Sequence, residues 1–221
     1  MSRPKAPRTQ LEDYLTTIYR LEEALGFAKI TDISRELRVS PATVSKTIKR
    51  LEGKNLVERE KYRFVKLTSA GRRIAEHIVR KHRIAEVFLF SVLGFNDLES
   101  HIYAHYLEHL PDIVIERLFV VMGKPAVCPH GNDIPGAVKP SNVGELVNLN
   151  SAKTGQVCVI MRVAGEFLET LEYLHSAGLS VHTSVKIVDR NVDKVVVEVY
   201  GNHRVDVPSY IARFVHVKCW Q

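Results

Sequence analysis

Apolar residues Leu11, Leu15, Ile18 and Leu21 recur at helical spacing and Gly26 follows, so the first predicted element is an amphipathic helix over residues 11–25. The next run, I-T-D-I-S-R-E-L, turns Ile33 and Leu37 inward and offers Thr31 or Asp32 as a cap for a short second helix. Val39, Ser40 and Pro41 then form a tight turn, with Ser40 at the N-cap and Pro41 at the first helical position. In P-A-T-V-S-K-T-I-K-R-L-E-G-K, Val44, Ile48 and Leu51 fall within about 60° of one another. Ala42, Lys46, Lys49 and Arg50 gather on the opposite side, flanked by Thr43 and Ser45. After Gly53, N-L-V-E-R-E-K-Y-R-F-V-K-L-T alternates around a polar break at residues 60–63 and predicts a two-stranded wing. Helix, turn, basic helix and basic hairpin in this order predict a winged helix-turn-helix.

The pattern continues as helix through R-K-H-R-I-A-E-V-F-L-F and H-I-Y-A-H-Y-L-E-H. Apolar residues between about Ile84 and Val121 exceed what one core stripe needs, which predicts a dimer interface there. The segment Lys124 to Asn142, with four prolines, reads as a linker. From about Gly144 the character changes. G-Q-V-C-V-I-M-R-V, E-F-L-E-T-L-E-Y-L-H-S-A-G-L, S-V-K-I-V-D-R and K-V-V-V-E-V-Y read as strand, helix, strand and strand.

Composition narrows the class. The chain has 221 residues, 45% hydrophobic and 25% charged, which suits a protein of more than one small domain. No run approaches the length of a membrane span, and the charged start has no apolar signal core, so a cytoplasmic protein is expected. Cys128, Cys158 and Cys219 are odd in number and unpaired in spacing, so reduced thiols are expected rather than a disulfide framework or a thiolate zinc site. The net charge of +6 is modest, but its excess lies between Arg3 and Arg83, as a phosphate-binding module requires. On that module Ser40, Pro41 and Ala42 lead the basic helix toward DNA. Thr43, Ser45 and Lys46 are placed to address base edges or phosphates, and Lys49, Arg50, Arg63 and Lys66 to meet phosphates.

Candidate chemistry concentrates in the middle third. Laid on a helix, His101, His105, Glu108 and His109 share an arc of about 100°. One imidazole on such a face is ordinarily a satisfied or exposed side chain. Three with a glutamate on a single stripe cost desolvation and repulsion unless something binds them. Upstream, His82 and Glu86 stand one turn apart, so two packed helices can enclose a cation. Imidazole with carboxylate suits Fe, Mn, Co, Ni or Zn better than Ca or Mg.

Two other readings compete. His105-Tyr106-Leu107-Glu108-His109 fits the H-x-x-E-H pattern of zinc metallopeptidases, with glutamate as general base between two ligands. That chemistry needs a third ligand and a peptide-sized cleft, and a chain that spends its first third on a winged helix leaves little room for either. The other rival is a winged-helix regulator that responds to an organic ligand and needs no metal.

The chain resembles the diphtheria toxin repressor family of metal-dependent transcriptional regulators. The resemblance rests on E-D-Y-L-T-T-I-Y at 12 to 19, S-P-A-T-V-S-K-T-I-K-R-L-E at 40 to 52 and Y-R-F-V-K-L-T-S-A-G at 62 to 71. It continues through R-K-H-R-I-A-E-V-F-L at 80 to 89, L-E-H at 107 to 109 and C-P-H-G-N-D-I-P at 128 to 135. It implies an α+β multidomain protein: a winged helix-turn-helix over 1–73, a helical metal-binding and dimerisation domain with linker over 74–142, and an SH3-like (FeoA-like) domain over 143–221. It also implies a homodimer that binds operator DNA when Fe(II) or Mn(II) is plentiful. Carried over residue by residue, one metal site comprises Asp13, His105, Glu108 and His109, and a second His82, Glu86 and His101. The SH3-like domain of longer members lends two side chains to the second site, here near Glu166 and Glu169, although periodicity alone puts that pair on an exposed helix face. Neither sulfur ligand of the iron-selective members stands at 13 or 105, which argues against a thiolate-tuned site. Thr16, in place of a further carboxylate of the manganese members, favours Fe(II), with Mn(II) the alternative and Zn(II), Co(II) or Ni(II) as substitutes in vitro.

Overall fold

The computed structural model describes residues 11–59, 64–138, 145–200 and 203–220. The chain forms two compact units, Met1–Ile78 and Val79–Gln221.

In the first unit α1 (Leu11–Leu25) buries Leu15, Ile18 and Leu21 and stops where Gly26 enters the left-handed region at φ 79°. β1 (Ala28–Lys29) leads directly into α2 (Ile30–Glu36) and α3 (Pro41–Glu52). Ser40 caps α3 by accepting from the Thr43 amide at 3.1 Å, and Pro41 occupies the first turn. Val44, Ile48 and Leu51 are fully buried, each stabilising the unit by about 2 kcal/mol. Ser40, Pro41, Ala42, Thr43, Lys46, Lys49 and Arg50 are exposed and Ser45 is half-buried.

Two expectations are corrected here. The second helix is not capped by Thr31 or Asp32; its N-cap is Lys29, without a side-chain bond, because the chain passes straight from β1 into the helix. The wing has three strands, in the order β1, β3 (Phe64–Leu67), β2 (Val57–Arg59), since Ala28 and Lys29 pair with Val65 and Phe64. Arg63 lies outside the described residues.

The long helix α4 (Ser69–Ser91) crosses the boundary between the units. In the second unit its later turns pack with α5 (Asp97–Leu107) and α6 (Asp112–Val121) around Ile84, Ile115, Phe119 and Ile134, and around Ala85, Leu89 and Ala104. Asn96 and Glu99 form a capping box at the start of α5. The remainder is a six-stranded antiparallel sheet, ordered β4 (Val147–Asn148), β9 (Val215–Trp220), β5 (Val157–Val163), β6 (Ser184–Arg190), β7 (Lys194–Val199), β8 (His203–Pro208). α7 (Leu168–Ser176) and the short α8 (Ser209–Ala212) complete it. Alternate residues such as Val195 and Val197, Val205 and Val207, and Val215 and Val217 face one core, as the period of two demands.

The expectation of reduced, unpaired thiols is overturned for two cysteines. Cys158 and Cys219 face each other across β5 and β9 and are disulfide-bonded, while Cys128 is free and buried. The linker reading also fails over residues 124–138. Cys128, His130, Asn132 and Ile134 are buried there, and Val127 bridges to Asp133 in a tight turn.

Candidate metal centre

The helical repeat of α4 stacks His82 and Glu86 one turn apart, and both are fully buried. α5 likewise stacks His101 and His105 one turn apart, the first buried and the second half-buried. Its last turn ends at Leu107, so Glu108 is the C-cap and its side chain folds back toward α4. His82 Nδ1 lies 2.6 Å from Glu108 Oε2, and His82 Nε2 lies 3.0 Å from Glu86 Oε1 and 3.1 Å from His101 Nδ1. His101 Nδ1 is 2.8 Å from Glu86 Oε1, and His105 Nδ1 is 3.4 Å from Glu108 Oε1.

The turn after α6, which its prolines make look like a linker, adds further donors. His130 Nδ1 stands 3.4 Å from Glu86 Oε1, and Cys128 Sγ stands 3.9 Å from His130 Nδ1. Two donor groups result, His82 with His101 and His105, and Glu86 with Cys128 and His130. The donor atoms of each lie within 4.8 Å of one another. The turn is held by backbone: the Val163 amide donates to the His130 carbonyl at 2.8 Å, and Asn132 Nδ2 donates to the Val163 carbonyl at 2.8 Å.

The residues fit a divalent cation. Glu86 Oε2 and His130 Nε2 are buried without a hydrogen-bond partner, an arrangement that costs free energy unless an ion or water completes it. Burial would raise the Glu86 carboxyl, but His130 and His82, with hydrogen bonds from His101 and His130, hold it well below its ordinary value. Burial likewise works against ionised Glu108, yet bonds from His105 and His82 keep it low. Burial pushes His101 down to about 3, so its ring is neutral and has a lone pair to offer. Burial, with Glu86 and Glu166 nearby, pushes the Cys128 thiol up, so a cation binding there must displace its proton. Burial would lower His130, but Glu86 outweighs it and raises the ring.

Not every expected ligand joins these groups. His109 follows the end of α5 and is half-exposed, 3.7 Å from Glu108 Oε1, so the stripe is broken at its last member by helix termination. Asp13 sits half-buried on α1 in the first unit. Glu166 is fully buried, contrary to the exposed-face reading, and its carboxylate is engaged by Arg83; Glu169 is exposed. Positions 13 and 105 carry no sulfur, as read from the sequence, and Cys128 places a thiol beside Glu86 and His130 instead. Its signal in the sequence was C-P-H, two donors around a turn-forming proline.

A winged helix with an exposed basic recognition helix, in a chain that also buries imidazole, carboxylate and thiol donors, is the architecture of a metal-dependent DNA-binding regulator. Three family models match in succession: the iron dependent repressor N-terminal DNA binding domain over residues 8–65, the iron dependent repressor metal binding and dimerisation domain over 68–136, and the FeoA domain over 147–219. The iron-dependent repressor IdeR of Mycobacterium tuberculosis is 32% identical over 220 residues, spanning 94% of this chain and 96% of that protein. The crystal structure of T. acidophilum IdeR matches 96% of this chain and 99% of its own at 30% identity, with a TM-score of 0.78. The manganese regulator SloR matches the same shares at 30% identity and 0.79. The chain belongs to the iron-dependent repressor family.

Proposed function

We propose that this protein is a transcriptional repressor that binds operator DNA as a homodimer in the cytoplasm when its buried centre holds Fe(II), with Mn(II) the alternative. The observation that carries this reading is the pair of orphaned donors, Glu86 Oε2 and His130 Nε2, among the buried His82, His101, Glu108 and Cys128, with His105 half-buried beside them. Two of these seven side chains lie on α4 and two on α5, Glu108 caps α5, and two come from the turn after α6. A cation there supplies positive charge that neutralises the carboxylates and cross-links the three segments. The residues themselves supply preorganisation: His82 and His105 orient Glu108, and His101 and His130 fix one oxygen of Glu86. Asp13 and His109 are further donors on the family pattern alone. An imidazole-rich set with one thiol suits Fe(II) somewhat better than a harder oxygen-rich set would, and Zn(II), Co(II) or Ni(II) substitute in vitro.

Operator contact is assigned to the exposed face of α3, with Ser40, Pro41, Ala42, Thr43, Ser45 and Lys46 toward the bases and Lys49, Arg50 and Arg63 toward phosphates. Self-association is assigned to the second unit, where Phe90, Leu93, Ile113 and Val121 are exposed, the last at 80%. Among the described residues no helix is long and apolar enough to cross a membrane. The chain is not a peptidase. Its family is one of repressors, and both oxygens of Glu108, the base that H-x-x-E-H requires, are held by His82 and His105.

The test is operator selection from genomic DNA under anaerobic conditions, with Fe(II), Mn(II), Zn(II) or a chelator. Enrichment of a palindromic site with Fe(II) and not with chelator supports the reading. Equal enrichment in chelator assigns the chain to the metal-independent winged-helix regulators.

A further inference from the structure

Within the first unit, the junction between β3 and α4 is fixed from two sides. On one side the Thr68 amide donates to the Leu56 carbonyl at 3.1 Å, and Thr68 Oγ1 donates to the Asn55 carbonyl at 2.8 Å. Gly71 lies so close to this loop that a β-carbon there would stand 1.9 Å from the Leu56 carbonyl oxygen. On the other side stands Glu22, in the last turn of α1, with its side chain 9% exposed. Its Oε1 accepts from the Leu67 amide at 2.9 Å, and its Oε2 is paired with the Arg72 guanidinium. Arg72 in turn lies over the ring of Tyr19, three residues before Glu22 on α1, at 5.5 Å from the centroid.

The sheet explains why a side chain is needed at this point. β1 pairs with β3 only at Phe64 and Val65, so beyond them no strand continues that edge. A main-chain amide left unpaired against α1 costs free energy, and the Glu22 carboxylate supplies the missing acceptor with the added strength of a charged group. Val65 is buried and Lys66 exposed, as alternation along a strand requires, and Lys66 stands opposite Glu58 of β2. Holding the Leu67 amide therefore fixes the position from which Lys66 projects.

We propose that Glu22 is a positioning residue for DNA binding: by clamping the Leu67 amide and Arg72 it holds β3 so that Lys66 meets a backbone phosphate of the duplex. The proposal deepens the reading of the first unit as an operator-binding module and rests on it. The rival is a purely structural role, in which Glu22 stabilises the unit without acting through Lys66.

The test compares the full-length wild type with Glu22→Ala, Lys66→Ala and the double variant. Binding is measured with Fe(II) under anaerobic conditions on a random-sequence duplex, so that no operator need be known. Amide hydrogen exchange at Leu67 in the DNA-free protein is expected to speed up about tenfold or more in Glu22→Ala and to stay within about twofold of wild type in Lys66→Ala. Affinity for the duplex should fall about threefold or more in each single variant, and the salt slope by about one. The double variant should lose little more than Lys66→Ala alone, because Glu22 acts through that contact. Glu22→Gln, which keeps an oxygen for the Leu67 amide, should recover most of the affinity. Glu22→Asp, a methylene short of that amide, takes the place of Glu22→Ala in the cycle if the latter does not fold. Unchanged exchange at Leu67, or losses that add in full in the double variant, overturn the proposal. A wild type whose affinity for the duplex does not depend on salt overturns the DNA-binding reading instead, and the exchange comparison then decides only whether Glu22 holds β3.

Discussion

Gly131 passes so close to Met161 that a β-carbon at position 131 would stand 2.2 Å from the Met161 carbonyl oxygen, and its φ of 77° lies in the left-handed region. The donor turn is thus seated on the end of β5 by a contact that only glycine allows. Gly131→Ala meets both the clash and the backbone penalty, together about 3 kcal/mol, which lowers the melting temperature by roughly 6 °C or more. Calorimetry of the metal-free protein checks the stability, and Co(II) titration checks the expected weakening at Cys128 and His130. An unchanged melting temperature would show that the turn relaxes freely.

Acid should destabilise the metal-free protein. His101 titrates at about 3 when folded against an ordinary 6.5, so the unfolded chain binds more protons below that ordinary value. Glu108 is also held below its ordinary value, and its contribution likewise disappears as pH falls. The raised His130 acts oppositely, its contribution being lost as pH rises. The net expectation is a loss of about 1 kcal/mol between pH 6.5 and 5.5, read from urea denaturation. A flat profile over that window would mean that His101 is protonated in the folded state.

Lys46 and Arg50 are both exposed on α3, and their roles should separate. Lys46→Ala is expected to weaken operator binding more than binding to random DNA. Arg50→Ala should weaken both and lower the salt slope by about one. Arg59 should behave differently, because it is tied to the Ser45 carbonyl at 2.8 Å and to Glu52 at 2.9 Å and acts through the placement of the wing. Fluorescence anisotropy at several salt concentrations checks all three. Equal losses on both DNAs for Lys46→Ala would make it a phosphate contact.

The Cys158 to Cys219 bond leaves Cys128 as the single free thiol. Thiol titration of denatured, unreduced protein should count one, and three after reduction. The bond closes a loop over a sequence separation of 61, so reduction should cost up to about 4 kcal/mol of stability. Three reactive thiols before reduction would mean that the bond is not formed in the isolated protein.

Much of this architecture was legible in the sequence for local reasons. The Ser40 cap, Pro41 and the spacing of Val44, Ile48 and Leu51 are decided within one helix. His82 with Glu86, and His101 with His105, follow from the helical repeat alone. What was misread depends on contacts distant in sequence. The Cys158 and Cys219 pairing requires the register of β5 against β9, and the third strand of the wing requires Val65 to meet Ala28. Cys128 and His130 were hidden because prolines and glycines look alike in a linker and in a tight turn. Helical periodicity also does not mark the end of α5 at Leu107, so His109 leaves the stripe, while its place as a donor rests on the family pattern.

The most direct measurement is operator affinity with Fe(II) and with chelator for wild type, Glu86→Gln and His101→Ala. The wild type should bind at least about tenfold more tightly with Fe(II), and both variants should lose most of that gain while keeping their chelator-state affinity and fold. Equal stimulation by Fe(II) in the wild type and both variants would contradict the assignment of this buried cluster as the metal switch.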